Sequence, residues 1–366
     1  MKIPIVDLEP YNNTSAIKLI VNRHLRTSAF IGGDSVSKFE QEFADYTTTK
    51  YAISCASGTD AIRLILQSLG ISTGDEVIVP AFTFFATAEA VVLAGATPVF
   101  ADVYSDTYTI SHSSIESKIT TRTKAIIPVH LYGKPANMNR ITGIAHRHNL
   151  YVIEDACQAH GAIYRNQKVG SLSHAAAFSF YPTKNLGCCG DGGAITTNNN
   201  HINYTARMLR DHGQTEKNLH HSIGLCSRLD AIQAAILSEK LTHLDQWNIA
   251  RQTVANIYMN HLPTQVEYPN FPYPMTGNTH VFHQFAIQVD PEDRLLLRNH
   301  LKTYNIATAI HYPYALHLTN PFYKSPPQSL PNAQRLAKTT LSLPMFPHMT
   351  HTQVMYVCDA IKEYYN

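Results

Sequence analysis

From residue 51 onward, short apolar segments alternate with longer stretches whose apolar residues recur at helical spacing. This alternation is typical of a mostly parallel sheet that is covered by helices. The predicted strands cover residues 51–55, 76–79, 97–102, 124–130, 151–155 and 175–180. Between them, Ile62, Ile65 and Leu69 share one face of a predicted helix over 60–69. The pattern therefore predicts an α/β fold.

The length of the chain predicts two domains, because 366 residues exceed what one hydrophobic core usually holds. Apolar residues within 227–244 predict a long helix that leads out of the larger domain. The last third of the chain predicts a compact α+β unit, with a loop over 267–278, a strand over 281–289, a helix from Pro291 to about residue 305, and a Pro-rich stretch over 320–331 before a short helix. We expect a large domain over 1–245, including the N-terminal segment, and a small domain over 246–366.

Composition and charge exclude several classes of protein. The 29 basic and 27 acidic residues give a net charge of +2, without the dense Lys/Arg stripe typical of nucleic-acid binding. The six cysteines, including adjacent Cys188 and Cys189, match neither a disulfide framework nor a zinc motif, and the 20 histidines form no metal-type cluster. No apolar run is long enough for a membrane span, and the N-terminus lacks an apolar signal core. We expect a cytoplasmic protein with reduced thiols, no metal, and no nucleic-acid or membrane partner.

Two residues suited to catalysis follow predicted strands. Asp155 ends the strand over 151–155, where α/β sheets place ligand sites, and its carboxylate is suited to a cationic ring nitrogen. Lys184 follows the strand over 175–180 and precedes a Gly-rich loop over 190–193, so we expect its amine to face the same cleft and to react with an aldehyde. A single lysine is far more often a solvated surface charge. Only the combination of the two residues favours a catalytic site.

The residues Ser-Gly-Thr-Asp over 57–60 form a strand-to-helix turn whose free backbone N–H groups favour an anion such as phosphate. The same residues also make a good helix N-cap, and the turn alone supports both interpretations equally. Ser179 offers a further hydroxyl to that anion. Phe84 is suited to stacking on a planar ring, although an aromatic residue at such a position is more often part of the core.

Taken together, these segments resemble the sugar aminotransferase family called DegT/DnrJ/EryC1/StrS, within the fold type I enzymes that use pyridoxal 5'-phosphate (PLP). The resemblance covers nearly the whole chain. Its motifs are Ala-Ser-Gly-Thr-Asp at 56–60, Val-Pro-Ala-Phe-Thr at 79–83, Gly-Ala-Thr-Pro at 95–98, Thr-Lys-Ala-Ile-Ile-Pro-Val-His at 123–130, Glu-Asp at 154–155, Phe-Ser-Phe-Tyr-Pro-Thr-Lys at 178–184, Gly-Asp-Gly-Gly at 190–193, Ser-Arg-Leu-Asp at 227–230, His-Tyr-Pro at 311–313 and Leu-Ser-Leu-Pro at 341–344. It implies an aspartate aminotransferase-like fold with a large PLP-binding domain, and a homodimer whose active sites are shared between subunits.

The resemblance implies a role for each residue of the cofactor site. Lys184 would hold PLP covalently and act as the catalytic acid and base. Asp155 would pair with the pyridine nitrogen, Gln158 would contact the phenolic oxygen of the ring, and Phe84 would stack on the ring. The phosphate would be bound by Gly58, Thr59, Asp60 and Ser179.

One departure from the family lies in Gly-Leu-Cys-Ser-Arg over 224–228, where the family usually has Asn two residues before Arg. That Asn commonly reaches the partner's cofactor phosphate, and Cys226 is a weaker hydrogen-bonding group, so Cys226 is not assigned to the site. Arg228 is a candidate to bind a substrate carboxylate through its planar guanidinium, with a structural ion pair as an equal alternative. The candidates for the sugar pocket, with ordinary packing as an equal alternative, are His311, Tyr312 and His317.

The resemblance implies transfer of an amino group from an amino acid donor, L-glutamate, to a keto sugar linked to a nucleotide. The product would be an amino sugar for a surface polysaccharide or a glycosylated metabolite. A sugar dehydratase of the same fold is an alternative, but it typically has His in place of Lys184. A non-enzymatic sensor or scaffold is a second alternative. Intact Asp155 and Gln158 argue against it, whereas Cys226 leaves it open.

Overall fold

The computed structural model describes residues 1–268, 277–324 and 328–366. Its strands are β1 (Tyr51–Cys55), β2 (Glu76–Pro80), β3 (Thr97–Ala101), β4 (Thr123–Ile126), β5 (Tyr151–Asp155), β6 (Ile163–Tyr164), β7 (Gln167–Lys168), β8 (Ala175–Ser179), β9 (Gly193–Thr197), β10 (Gln214–Glu216), β11 (Leu219–His220), β12 (Phe285–Gln288) and β13 (Thr340–Leu343). Its helices are α1 (Glu9–Asn12), α2 (Ser15–Thr27), α3 (Asp34–Thr47), α4 (Gly58–Ser68), α5 (Ala86–Leu93), α6 (His112–Glu116), α7 (Met138–His148), α8 (Asn200–Leu209), α9 (Ala231–Leu241), α10 (Leu244–His261), α11 (Asp293–Thr303), α12 (Pro331–Thr339) and α13 (His351–Tyr365). Short 3-10 helices cover Leu131–Gly133 and Leu316–Leu318.

Seven strands form the central sheet in the order β1-β9-β8-β5-β4-β2-β3. Only β9 runs against the others in this sheet, since it is antiparallel to both of its neighbours, β1 and β8. All five residues of β2 are buried, as expected for a strand covered by helices on both faces. The predicted α/β fold with a mostly parallel sheet is confirmed. Because parallel strands end at one edge, the segments that follow β1, β5 and β8 meet there.

Helix α4 covers the sheet next to that edge. It begins at Ser57, whose side chain accepts a hydrogen bond from the Asp60 N–H and so caps the first turn. Its apolar side chains Ile62, Ile65 and Leu66 are fully buried in the main core cluster. Burial of such side chains contributes about 1.5–3 kcal/mol each, so the packing of α4 holds its N-terminus rigidly at the edge of the sheet.

A separate core cluster draws its residues from 254–361 and also includes Ile3. The strands β12 and β13 pair antiparallel within it. The N-terminal segment joins this cluster through a bridge between Ile3 and Ile306. The division of the chain into domains over 1–245 and 246–366 stays a prediction.

Two predicted strands are several residues shorter than expected. The strand predicted over 124–130 ends at Ile126, because Pro128 lacks an N–H and interrupts the ladder. The strand predicted over 281–289 is regular only in β12, because Val281 and His283 donate backbone hydrogen bonds to residues 132–133 instead. The sequence pattern also missed β9, whose first residue belongs to the Gly-rich segment.

The long helix predicted over 227–244 is two helices, α9 and α10. Residues 227–230 are extended, because Ser227 donates to the Arg210 carbonyl and Asp230 bridges Ile31. The loop predicted over 267–278 lies largely outside the described residues, as do residues 325–327 of the Pro-rich stretch. None of the described helices is both long and apolar enough to cross a membrane. Across the described ranges, no group of three or more His, Cys, Asp or Glu is arranged to bind a metal ion.

Candidate active site

The carboxyl edge of the sheet brings the predicted cofactor residues together. Asp155 ends β5, Ser179 ends β8, and the turn that contains Gly58 follows β1. Lys184 lies five residues beyond Ser179, in a turn closed by its own N–H, which donates to the Tyr181 carbonyl at 2.9 Å. The local order of strand, turn and helix therefore places an amine, a carboxylate and a helix N-terminus at one edge.

Two donors from the protein hold the Asp155 carboxylate. Its Oδ2 accepts from the Thr87 hydroxyl at 2.8 Å, and its Oδ1 accepts from the Cys157 N–H at 3.2 Å. Asp155 is 6% exposed. No lysine or arginine within the described ranges forms an ion pair with it. The carboxylate is therefore oriented by neutral groups and can still attract a cation in the cleft.

Lys184 lies in an environment that favours its neutral amine. As a residue it is partly exposed, and burial of the amine lowers the pKa of Lys184 below its usual range. Cys157 and Asp155 act in the opposite direction on this pKa, and burial is the larger effect. A neutral amine is the nucleophile that attacks an aldehyde. The site thus favours the form of Lys184 that can bind a carbonyl cofactor.

The turn at the start of α4 approaches the sheet closely enough to require glycine. A Cβ on Gly58 would lie 2.6 Å from Cys157 Sγ and 2.8 Å from Ser179 Cβ. A Cβ on Gly193, at the start of β9, would lie 2.3 Å from the Ser57 carbonyl. The N–H groups of Gly58 and Thr59 have no acceptor among the described residues, as is usual in a first helical turn. The turn therefore presents open donors beside Ser179.

Gln158 is held from two sides. Its Oε1 accepts from the Tyr132 N–H at 2.7 Å, and its Nε2 donates to the Tyr312 hydroxyl at 2.9 Å. The ring of Tyr312 lies 5.7 Å from that of Phe84, whose side chain is 54% exposed. The Tyr132 hydroxyl also donates to the His311 carbonyl. These contacts tie the segment over 311–312 to the edge of the sheet.

Three histidines lie close to Lys184 and are held neutral. Burial, with a smaller contribution from Lys184, lowers the pKa of His160 to about 3 and that of His311 to about 4. Burial is also the largest cause that holds the pKa of His283 well below its usual range, and Lys184, Arg251 and the two other histidines lower it further. The Asn185 amide group donates both of its hydrogens to other groups, so only its oxygen faces His283. Asn185 Oδ1 lies 3.3 Å from His283 Nδ1 and accepts a hydrogen bond from it. The neutral His283 ring therefore carries its proton on Nδ1 and leaves Nε2 as an acceptor.

Glu154 points to the opposite face of β5 from Asp155 and is fully buried. The groups that donate to its carboxylate are His130 Nε2, the Gly170 N–H, the Leu172 N–H and the Ser173 hydroxyl. His130 Nδ1 accepts from the Ala136 N–H, so His130 carries its proton on Nε2. Glu154 thus anchors the strand end that presents Asp155.

Some candidate residues lie apart from this set. Arg228 forms an ion pair with Asp211 at 3.1 Å and lies 3.4 Å from Cys226 Sγ. The ring of His317 lies against Phe100, and its Nε2 is 3.2 Å from Gln334 Nε2. The Asp60 carboxylate accepts from the Ser227 hydroxyl at 2.6 Å. The described contacts do not connect Arg228 or His317 with Lys184, and their substrate roles stay predictions.

Comparison with known proteins decides the family. The sequence profile of the DegT/DnrJ/EryC1/StrS aminotransferase family matches residues 12–362. The chain belongs to this family. The match includes every residue of the cofactor site described above.

Relatives of this aminotransferase family member match it along its whole length. The "pleiotropic regulatory protein" of Geobacillus stearothermophilus is 46% identical over 372 residues, which cover 100% of this chain and 99% of that protein. The "dTDP-3-amino-3,4,6-trideoxy-alpha-D-glucose transaminase" of Streptomyces venezuelae is 42% identical over 370 residues, which cover 99% of this chain and 96% of that protein. The crystal structure of DesV from S. venezuelae, in complex with a ketimine intermediate, has a TM-score of 0.95 at 41% identity and covers 99% of this chain and 98% of that chain. The chain is thus a PLP-dependent aminotransferase.

The residues present fit the cofactor of the family. The Lys184 amine has a lowered pKa, the Asp155 carboxylate forms no ion pair with a lysine or arginine among the described residues, and the open N–H groups of α4 lie beside Ser179. An amine, an anion and a phosphate-binding helix start are the three groups that PLP requires. Thr87, Tyr132, His160 and His283 were missed from the sequence, because no local motif marks a residue that reaches the site by tertiary contact alone.

Proposed function

We propose that this aminotransferase transfers an amino group from L-glutamate to the keto group of a nucleotide-linked sugar. The observation that carries the proposal is that Lys184 and Asp155 lie together at the carboxyl edge of the sheet. Burial lowers the pKa of Lys184 at this position. The name of the S. venezuelae transaminase, a dTDP-linked 3-amino sugar enzyme, supports the substrate class. We infer that the product is an amino sugar for a polysaccharide or a glycosylated metabolite.

Each side chain of the cofactor site has a proposed part in this reaction. Bound PLP supplies an aldehyde and a ring that withdraws electrons from the bond being broken. Lys184 would hold the aldehyde carbon covalently, and Asp155 would pair with the ring nitrogen. Gln158 would contact the phenolic oxygen with the Nε2 hydrogen that does not bond to Tyr312, and Phe84 would stack on the ring. The N–H groups of Gly58 and Thr59 and the Ser179 hydroxyl would bind the phosphate. Asp60 would hold this turn in place, because its N–H donates to Ser57 and its carboxylate accepts from Ser227.

Lys184 also moves the protons. With a donor amino acid bound, the Lys184 amine would act as the base that takes the α-proton. Burial lowers the pKa of Lys184, which shifts the balance toward the unprotonated amine that a base needs. In the second half of the reaction, the same amine returns a proton to the sugar carbon that receives nitrogen. One lysine therefore serves both half-reactions.

The sugar side of the site is proposed to lie above Phe84. Tyr312 lies against Phe84 and contacts Gln158, and the neighbouring His311 is connected to Tyr132. His317 lies deeper and is assigned a supporting position next to this pocket. Hydroxyl and imidazole groups are suited to sugar hydroxyls, because they both donate and accept hydrogen bonds.

We propose a homodimer whose subunits complete each other's active sites. The segment over 213–226 carries Ile223, which is 96% exposed, and leads to the exposed Arg228. Arg228 of one subunit would bind a substrate carboxylate in the other. Mixing Lys184→Ala and Arg228→Ala proteins, each inactive alone, should restore activity in mixed dimers. Failure of the mixture, while light scattering shows dimers that exchange subunits, would reject the shared site.

The chain is further proposed to divide into domains over 1–245 and 246–366 and to act in the cytoplasm, where its free cysteines stay reduced. Limited proteolysis followed by mass spectrometry tests the boundary. Cleavage that concentrates at residues 240–250 supports it, and cleavage elsewhere with this segment intact contradicts it.

A non-catalytic regulator is the second candidate, and one observation favours it. The relative that is 46% identical bears the name "pleiotropic regulatory protein". Cys226, at the position where the family usually has Asn, is compatible with weaker phosphate binding. The dehydratase alternative has less support, because Lys184 is present.

The proposed function can be tested with the purified protein and L-glutamate. The bound cofactor should absorb visible light, and glutamate should bleach this band while one equivalent of 2-oxoglutarate forms per site. Next, dTDP- and UDP-linked 3-keto and 4-keto sugars are supplied, and the products are identified by mass spectrometry. Lys184→Ala should form no product, while the exposed-lysine control Lys50→Ala should match wild type. A cofactor band that glutamate leaves unchanged would favour the regulator.

A further inference from the structure

Thr87 is a buried threonine that connects helix α5 to the end of β5. Its hydroxyl donates to Asp155 Oδ2 at 2.8 Å, across 68 residues of sequence. Thr87 is 1% exposed. The other buried residues of helix α5 are three alanines and one valine. A polar side chain in such surroundings costs stability unless it is hydrogen-bonded, and here its partner is the site carboxylate.

The direction of this hydrogen bond follows from the chemistry of its partners. A helical threonine commonly donates to the carbonyl one turn earlier, as Thr47 does to Phe43 O at 2.8 Å. Thr87 instead contacts Asp155 and, at 3.2 Å, the hydroxyl of Thr83. Since an ionised carboxylate only accepts, the single hydroxyl proton of Thr87 points to Asp155. Thr83 must then donate to Thr87, so both hydroxyl dipoles point toward the carboxylate.

Within the described ranges, the other groups that hydrogen-bond the Asp155 carboxylate are the N–H and the thiol of Cys157, two residues along the chain. Thr87 is the donor that comes from a different element. Its hydroxyl therefore ties the carboxylate to helix α5 and limits rotation about χ2. A carboxylate held in one orientation by the fold loses little further rotational freedom when a ring nitrogen binds to it.

We propose that Thr87 is a positioning residue that orients Asp155 toward the ring nitrogen of the cofactor. This inference rests on the proposed function, because it uses the assignment of Asp155 to that nitrogen. Thr87 does not touch the reacting atoms and acts only through Asp155. Thr83 supports it by donating to the Thr87 hydroxyl.

Three single substitutions in the full-length holoenzyme test the proposal. Thr87→Val keeps the shape of the side chain and removes the hydroxyl, and Thr87→Ser keeps the hydroxyl. Thr47→Val is the matched control, because it also removes the hydroxyl of a buried helical threonine. The Thr47 hydroxyl donates to a backbone carbonyl and not to a residue of the site. For each protein, the absorption spectrum of bound cofactor, its dissociation constant, the melting temperature, and kcat and KM for glutamate are measured.

Thr87→Val should lower kcat about tenfold or more, the loss expected for one hydrogen bond to a charged group, while KM for glutamate changes less. Its bound cofactor should absorb differently from wild type, and Thr87→Ser should restore both properties. Thr47→Val should lower only the melting temperature and leave the spectrum unchanged. Equal spectra and equal kcat for wild type and Thr87→Val would overturn the role of Thr87 while the proposed function stands. Equal defects in Thr87→Val and Thr87→Ser would also overturn it. A wild type without cofactor absorption would instead reject the proposed function.

Discussion

Gln158 donates a hydrogen bond from Nε2 to the Tyr312 hydroxyl at 2.9 Å and so joins two segments that are 154 residues apart in the chain. Its Oε1 is already bonded to the Tyr132 N–H, which fixes the orientation of the amide. The contact links the cofactor side of the site with the segment proposed to bind the sugar. Any substitution that breaks it should affect both.

Removing the Tyr312 hydroxyl tests this link. Tyr312→Phe leaves Gln158 Nε2 without its acceptor, so we expect cofactor affinity to fall about threefold to tenfold, as for loss of one neutral hydrogen bond. KM for the keto sugar should rise by a similar factor. Equilibrium dialysis of the cofactor and initial rates measure both quantities. Tyr314→Phe, a change at a residue that is 68% exposed, is the matched control, and equal behaviour of the two variants would contradict the account.

The close approach of Gly58 to the sheet leads to a second prediction. In Gly58→Ala, the new Cβ would overlap Cys157 Sγ and Ser179 Cβ at 2.6 and 2.8 Å, so the turn must move. We expect a loss of about 1–3 kcal/mol in the free energy of unfolding, together with weaker cofactor binding. Gly143→Ala, where the Cβ meets only Arg147 Nη1 at 3.9 Å, should stabilise the helix by about 0.5–1 kcal/mol. Urea unfolding measures both, and an unchanged Gly58→Ala protein would refute the requirement for glycine.

The sequence predicted Asp155, Lys184 and the turn over 57–60 because each lies at the end of an apolar strand or within a few residues after it. Parallel strands place such positions at one edge, so local pattern was enough. Thr87 and His283 could not be predicted this way. Thr87 lies within helix α5, whose apolar sequence predicts only core packing. His283 reaches the site because its N–H donates to the Tyr132 carbonyl and not to a neighbouring strand.

The fold shows the same limit of local information. The strands β1 to β5 and β8 of the central sheet were predicted to within four residues, since each is a short apolar run between turn residues. The short, partly exposed β6 and β7 were not predicted. The antiparallel β9 was missed because its register with β1 and β8 is a tertiary property. Of the helix predicted over 227–244, the structure forms α9 over Ala231–Leu241 and begins a new helix at Leu244. Pairing of Asp230 with Ile31 competes with helix formation at the N-terminal end.

The buried histidines predict how stability depends on pH. Burial lowers the pKa of His160 to about 3, below the value of about 6.5 for an unfolded chain. The unfolded state therefore binds a proton that the folded state does not, and stability falls as the pH drops below about 6.5. For His160, which is 1% exposed, the loss between pH 6.5 and pH 5 is about 2 kcal/mol.

Unfolding free energies of wild type and His160→Leu at pH 7 and pH 5 measure this contribution. The variant should lose less stability on acidification than wild type does. His146→Leu, a change at an exposed histidine, should keep the wild-type dependence. A His160→Leu protein with the wild-type pH dependence would show that His160 does not contribute.

Glu154 is predicted to be structural rather than catalytic. It accepts four hydrogen bonds in a fully buried position, and Glu154→Gln turns one acceptor oxygen into a donor that faces other donors. We expect a loss of roughly 3 kcal/mol in the free energy of unfolding. Glu116→Gln, at an exposed ion pair with Arg147, should change it by less than about 1 kcal/mol. Chemical denaturation compares the two, and equal effects would contradict the anchoring role.

The central claim, that Lys184 carries the cofactor, is tested most directly by chemical trapping. The holoenzyme is reduced with sodium borohydride, digested, and analysed by tandem mass spectrometry. We predict that the peptide containing Lys184 gains the mass of one reduced pyridoxyl phosphate group and that the Lys184→Ala protein yields no such peptide. A modification found on a different lysine, or none on Lys184 in protein that holds one cofactor per chain, would contradict the claim.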